Sequence, residues 1–437
     1  MTWRSNRREF LTATALAGMG ILTADGATAQ DAKQSKSPNE KINFACIGVG
    51  GKGESDTGDA NRLGKVIAIC DVDDNTLAQA AKLYPDAKRY NDYRKMLEEM
   101  KGDIDAVTVS TPDHSHAPAA AMAMHLGKHT FCQKPLAHSI YEVRRLSEIA
   151  RQKKVATQMG NQGTAGSELR RCAALVRAGA IGTVSEVHVW TNRPIWDQGI
   201  PRRESKPVPS NLHWDLWLGP AKERPYADGY HTFSWRGWWD FGTGALGDMA
   251  CHTVNLPFMA LDLRNPTSVV AETSGTNKDS YPKSSLIHFQ FAANKLRPAV
   301  KLVWYDGGKL PPKDLLPEEN YSDSGSLIVG DKGRLYTTGD YGENGRILGG
   351  TGLKDVKFPE SPGHFEEFVR AIRGGEPAMS NFHDYAGPLA ETILLGNLAV
   401  WADGKTIEWD AKHMRATNAP EVSSIIRPIY RPGYNFL

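Results

Sequence analysis

The chain is 437 residues long, 40% hydrophobic and 23% charged, with a formal net charge of +2. That length has room for two domains with well-filled cores, and the composition is that of an ordinary globular protein. Near-neutral charge without any basic run argues against a nucleic-acid or membrane-surface partner.

Residues 1–29 read as an export signal. Arg4, Arg7 and Arg8 precede an apolar Ala/Gly-rich stretch from Leu11 to Leu22, and Ala27-Thr28-Ala29 supplies the small-x-small pattern a signal peptidase needs. The apolar run is too short to span a bilayer. The string Asn6-Arg7-Arg8-Glu9-Phe10-Leu11 resembles a twin-arginine signal, which implies a periplasmic or otherwise exported protein with no membrane insertion once the signal is removed. Residues 30–40 are polar and rich in Ser, Lys and Gln, as in a disordered leader.

From residue 41 to about 160, strand-like and helix-like runs alternate. Strands are expected at Ile42–Ile47, Val66–Cys70, Ala106–Ser110, His129–Cys132 and Val155–Met159. Helices are expected after Gly53 and at Asn75–Leu83, Ala117–Leu126 and Ile140–Lys153. This rhythm predicts an α/β Rossmann domain, a doubly wound parallel sheet. Over 161–437 the rhythm changes. Glu168–Ala178 reads as one more helix, followed by alternating runs at Val184–Trp190, Ser268–Glu272, Ser285–Phe291, Val300–Trp304 and Ser326–Val329. These predict an α+β domain with a mostly antiparallel open sheet, closed by helices at His364–Arg373 and Tyr385–Ala402. The five cysteines show no C-x-x-C spacing; they sit in apolar or helical runs and read as buried free thiols, with no metal site.

Gly48-Val49-Gly50-Gly51-Lys52-Gly53 follows a predicted strand and opens a helix, and Asp71 closes the next strand. In that context the glycines let backbone amides approach a pyrophosphate at a helix N-terminus, and Asp71 accepts from the adenosine ribose. Asp73 and Asp74 follow without an arginine, so a 2′-phosphate is repelled and NAD, not NADP, is the expected cofactor. Thr111, Pro112, His114 and His116 follow the strand ending at Ser110, on the ligand edge of the sheet; each histidine reads equally as a capping group or as part of the site. Gln133-Lys134-Pro135 follows the next strand, and Asn161 completes the cofactor-binding candidates. Asp248 and His252 are spaced i, i+4 and share a helix face, either as a capping acid and a packed histidine or as an oriented acid/base pair.

Together these motifs resemble the Gfo/Idh/MocA oxidoreductase family, named for glucose–fructose oxidoreductase, inositol dehydrogenase and MocA. The resemblance rests on Gly48–Gly53, Cys70-Asp71, Thr111-Pro112 through His116, Gly127-Lys128-His129, Lys134-Pro135, Asp248/His252 and Gly387–Thr392. It implies a Rossmann domain followed by an α+β domain, and a catalytic constellation of Lys134, Asp248 and His252. In that constellation Lys134 holds the substrate hydroxyl, His252 is the general acid/base and Asp248 binds and orients. Paired subunits, hence a homo-oligomer, are a further implication. The departure is Gln133, where the family usually has Glu. A neutral amide does not favour a charged lysine as a carboxylate does, so Lys134 is expected to titrate lower than in relatives.

Between Asn211 and Cys251 lies an aromatic stretch too long for a passive loop. In it His231, Trp235, Arg236 and Trp239 join Asp248 as candidates for a sugar-binding wall, with indoles against C–H faces and polar groups on hydroxyls; core packing is the competing reading for each Trp. Export with a nicotinamide cofactor implies that NAD is tightly bound and recycled. The expected function is therefore hydride transfer between a sugar, glycoside or polyol hydroxyl and that NAD. An NAD-dependent glycosidase working by transient oxidation and elimination is the alternative, and a catalytically silent sugar-binding protein the second.

Overall fold

The computed structural model describes residues 41–317 and 320–437, so the expected export signal and leader lie outside the described residues. The first domain alternates β1 (Asn43–Ile47), α1 (Lys52–Leu63), β2 (Lys65–Cys70), α2 (Asp74–Leu83), β3 (Lys88–Tyr90), α3 (Tyr93–Glu99), β4 (Ala106–Val109), α4 (Asp113–His125), β5 (His129–Cys132), α5 (Ile140–Lys153) and β6 (Thr157–Met159). All strands pair in parallel in the order β3-β2-β1-β4-β5-β6. Parallel strands are covered on both faces, which is why β4 is buried throughout and β1 from Phe44 onward, with mostly apolar side chains. The order reverses between β1 and β4, and a ligand crevice opens there beyond the strand C-termini.

Small side chains let α4 disappear into the molecule: Ala117, Ala119, Ala120, Ala121 and Ala123 are all buried. A reciprocal capping box, Ser139 with Glu142, starts α5. The sequence did not announce β3 or α3. Their residues are short and polar, and they are held by pairing with β2 and by the Asp92 cap rather than by periodicity.

The second domain contains α6 (Ser167–Arg177), β7 (Val184–Trp190), α7 (Trp214–Leu218), α8 (Gly244–Thr253), α9 (Asn255–Leu261), β8 (Ser268–Thr273), β9 (Ser285–Phe291), β10 (Val300–Tyr305), β11 (Gly325–Gly330), β12 (Gly333–Thr338), β13 (Glu343–Gly349), α10 (His364–Ile372), α11 (Gly387–Trp401), β14 (Ile407–Asp410) and β15 (Arg415–Ala416). Its nine-stranded sheet runs β13-β12-β11-β7-β10-β9-β8-β14-β15. The β7–β10 pair is parallel and the other described pairs are antiparallel, in keeping with the expected mostly antiparallel sheet. Residues of α8, α9 and α11, among them Leu246, Phe258, Ile393 and Leu398, share one core with Val269, Ile287, Phe289 and Leu302 of the sheet.

Packing does not follow the sequence division at residue 160. Phe365 and Phe368 of α10 close against Phe131, with Phe365 also on Phe44, so this late helix covers the parallel sheet of the first domain. The last expected helix, Tyr385–Ala402, is present as α11, which has Pro388 in its first turn and continues without a break from a π turn at Phe382–Ala386. All five cysteines are free and buried, as expected.

Candidate active site

The glycine loop is shaped by contact. Gly48 has φ +75°, and a methyl there would lie 2.6 Å from the Ser110 carbonyl oxygen. At Gly53 a methyl would meet the Gly48 carbonyl oxygen at 2.0 Å, so only glycine lets α1 pass beneath the loop. Gly50 faces Thr76 in the same way, whereas Gly51, at φ +54°, opens onto empty space where a ligand can approach the backbone. No side chain caps α1, so its N-terminal end can face an anion, although the Gly53 and Glu54 amides bond back to the Gly50 and Gly51 carbonyls at 2.9 and 3.2 Å. Asp71 accepts from the Val49 and Asp73 amides, both at 3.0 Å, and burial raises its pKa against the pull of those amides. Each carboxylate oxygen keeps a lone pair for a ribose hydroxyl. This cradle fits a dinucleotide.

At the other end of the crevice, β5 and α8 bring three expected residues together. The Lys134 ammonium donates to Asp248 Oδ1 at 2.6 Å and to the Asp248 carbonyl at 2.9 Å. The Arg236 Nε–H donates to the same Oδ1 at 3.2 Å. Burial opposes ionisation of Asp248, but Lys134 and Arg236 outweigh it and hold the carboxyl well below its ordinary range. One turn on, burial and the nearby ammonium drive the His252 pKa well down, so its ring is neutral. The His252 Nδ1 is buried without a protein partner among the described residues.

Other expected residues have different surroundings. Gln133 turns away from the ammonium: its amide donates to Asp56 Oδ2 at 2.8 Å. His116 is fully buried between the Thr111 and Pro135 carbonyls, both at 2.8 Å, where it ties β4 to the Lys-Pro loop. Burial lowers its pKa to about 4, so the ring is neutral and only one nitrogen donates. Thr111 and Pro112 remain half-buried at the crevice edge. Asn161 is buried, accepting from Ser380 and leaning on the Cys251 carbonyl, and so joins β6 to α8.

The sugar wall needs correction. Trp239 stacks on Tyr281 at 3.7 Å, with Trp401 edge-on, inside the main core. Trp235 is buried in a separate aromatic cluster, and the Arg236 guanidinium covers its ring at 4.2 Å. His231 joins neither Lys134 nor Asp248; its Nε2 pairs with Asp73 at 2.9 Å, and the Asp73 amide donates to Asp71. Indoles in a run that long bury themselves because their apolar area outweighs any gain from exposure. Of the expected wall, Arg236 and Asp248 remain at the site.

Sequence reasoning missed the tip of the β12–β13 hairpin. Tyr341 places its ring edge-on to His252, with centroids 4.9 Å apart, and its hydroxyl accepts from Gln162 at 3.0 Å. Asp340, with Oδ1 buried and unpartnered, faces Arg193 at 3.9 Å. The available signal was Gly339-Asp340-Tyr341-Gly342, a turn with positive φ at both glycines and chemistry between them.

Residues 42–161 match the Rossmann-fold NAD-binding model of the Gfo/Idh/MocA oxidoreductase family, and residues 167–436 match its C-terminal α/β domain. The chain belongs to this NAD-binding oxidoreductase family. A glycosyl hydrolase family 109 protein of Shewanella pealeana is 28% identical over 199 residues, covering 40% of this chain and 44% of that protein. An inositol 2-dehydrogenase of Salmonella paratyphi B is 30% identical over 126 residues, 28% of this chain and 37% of that one. The chain thus spans less than half the length of these curated relatives. Among solved structures, the WlbA dehydrogenase from Bordetella pertussis in complex with NADH and UDP-GlcNAcA is similar with a TM-score of 0.61. That likeness covers 85% of this chain and 99% of that one at 17% identity, and it establishes the fold.

Proposed function

We propose that this protein is an NAD-dependent oxidoreductase that transfers hydride between a CH–OH group of a sugar, glycoside or polyol and NAD bound in the crevice. The observation that carries this reading is the meeting of Lys134, Asp248 and His252 at the end of the crevice away from Asp71. Bound NAD supplies the hydride acceptor. An ammonium has three hydrogens, and Asp248 takes two of those on Lys134, leaving the third to hold a substrate hydroxyl. The neutral His252 accepts the hydroxyl proton as the carbinol C–H bond breaks. Asp248 fixes both Lys134 and Arg236.

The inositol dehydrogenase relative supports this reading. The family 109 relative favours a second one, glycoside cleavage after transient oxidation, which begins with the same proton and hydride movements. We infer further that NAD is tightly held and recycled, that the protein is exported through the twin-arginine motif at Arg7-Arg8, and that it works as a homo-oligomer. These follow from the signal-like N-terminus and the family resemblance.

The test is to denature the purified protein, assay the supernatant for NAD, and incubate the native protein with aldoses, polyols and glycosides. Stoichiometric NAD with a keto-sugar or lactone product supports the oxidoreductase. A free, unoxidised sugar from a glycoside supports the second reading. A protein that binds neither NAD nor NADH overturns both.

A further inference from the structure

A segment of the second domain grips the first at the acidic loop after β2. Leu212 forms an antiparallel bridge with Asp73. The His213 amide donates to the Val72 carbonyl, and the Asp74 amide to the Asn211 carbonyl, both at 2.9 Å. Side chains double the attachment: Asn211 donates to Asp73 Oδ1 at 2.8 Å, His231 pairs with Asp73 Oδ2 at 2.9 Å, and His213 pairs with Asp74 at 3.0 Å. Burial works against ionisation of Asp73, but His231 and Asn211 hold its carboxyl below the ordinary range. The chain then crosses through α7 to the first turn of α4, just beyond the loop after β4. There the His114 ring lies between the Trp217 carbonyl at 3.0 Å and the Phe241 carbonyl at 3.1 Å, and its single N–H donates to one of them. The crossing segment packs through Leu212, Trp217 and Leu218 into an aromatic cluster with Tyr230, Trp238 and Phe241.

The two loops joined in this way bracket a particular part of the cofactor. In a doubly wound sheet the ribose sits on the acid closing β2, here Asp71, and the crevice runs from there toward the loop after β4. Asp71 is itself bonded to the amide of Asp73, the residue that Asn211 and His231 hold. We propose that Asn211–Leu218, locked by His231, is a cofactor-binding element: a wall from the second domain that encloses the adenosine half of NAD and slows its release. This accounts for His231 lying beside the cofactor instead of the substrate, and it rests on the reading that NAD is retained.

The experiment compares wild type with the double variant Asn211→Ala/His231→Ala, using ADP-ribose as the probe of the adenosine end. The expected result is a rise of at least about tenfold in the ADP-ribose Kd, ~1.4 kcal/mol. NAD dissociation should accelerate by a similar factor, measured at a temperature where the variant, destabilised by the loss of two partners of Asp73, is still fully folded. ADP-ribose affinity and NAD release within about twofold of wild type would overturn the proposal and leave a purely structural contact. If the double variant does not fold, His231→Gln alone is measured, with a threefold or larger effect expected and none overturning the wall. A wild type that purifies without NAD, combined with weakened ADP-ribose binding in the variant, would remove the retained-cofactor reading and keep the wall.

Discussion

Gln133 carries an amide where the family resemblance implies a carboxylate, and the reason lies in Asp56. That carboxylate is buried and accepts from Gln133 at 2.8 Å, Ser110 at 2.7 Å and Lys52 at 2.5 Å. A Glu at 133 would face Asp56 at hydrogen-bond distance, and two carboxylates so placed share a proton. The neutrality of Gln133 therefore answers Asp56, while the counter-ion of Lys134 is Asp248. Gln133→Glu is expected to destabilise the protein by about 1–3 kcal/mol at pH 8. The repulsion exists only while both carboxylates of the variant are ionised, so melting at pH 5 should show a smaller deficit than at pH 8. Adding Asp56→Asn should recover most of the loss, and no recovery would mean that Asp56 is not the cause. Lys134→Met and His252→Gln are each expected to lower turnover by about 10²–10⁴-fold with NAD still bound, measured as product formation against cofactor content. These residues were legible because each sits a few positions from a strand end or on one helix face. Tyr341 and Gln162 were not, since nothing local in the sequence places a distant hairpin tip against His252.

Elements show the same contrast. Apolar or periodic runs such as β4, α5 and α6 carry their own boundaries almost to the residue, whereas β3, β14 and β15 exist through pairing that no local pattern encodes. The mutual position of α4 and α8, which brings Asp248 to the crevice, was equally invisible. It is fixed by a buried bond in which the Thr243 hydroxyl donates to Asp113 Oδ2 at 2.6 Å. Burial pushes the Asp113 pKa up to about 6, against the Thr243 bond and the charge of Arg236. A raised carboxyl pKa means its contribution is fully present below the unfolded value and is lost as pH rises through the folded one. Asp113→Asn cannot ionise, so its stability relative to wild type is expected to rise between pH 4 and pH 7 by on the order of 2–3 kcal/mol. A difference between the two melting profiles that stays flat across that range would show that Asp113 ionises freely in the fold.

For the molecule as a whole, the question is what holds a late helix onto an early domain. Helix α10 packs Phe365 and Phe368 on the parallel sheet, and Arg170 of α6 meets Glu367 of α10 at 2.6 Å with both side chains only 2% exposed. The pair is fully satisfied: Arg170 also donates to the carbonyls of Thr164, Pro359 and Glu360, and Glu367 accepts from the Met379 amide. A buried pair of this kind adds modest net stability but is costly to break, because the survivor is left charged and unpaired. Arg170→Met is therefore expected to cost about 3–5 kcal/mol. The companion Arg170→Met/Glu367→Leu should lose less, since it strands no charge, although the freed carbonyls keep it below wild type. Chemical denaturation of the three proteins decides the matter. The same helix bears on the site: His364 pairs with Gln158 and bonds the Met159 carbonyl, next to the turn that presents Gln162 to Tyr341. Breaking the pair should then weaken NAD binding before the protein unfolds, seen as cofactor release at denaturant concentrations where the folded signal is intact. Cofactor release coincident with global unfolding would instead mean that α10 serves the fold alone.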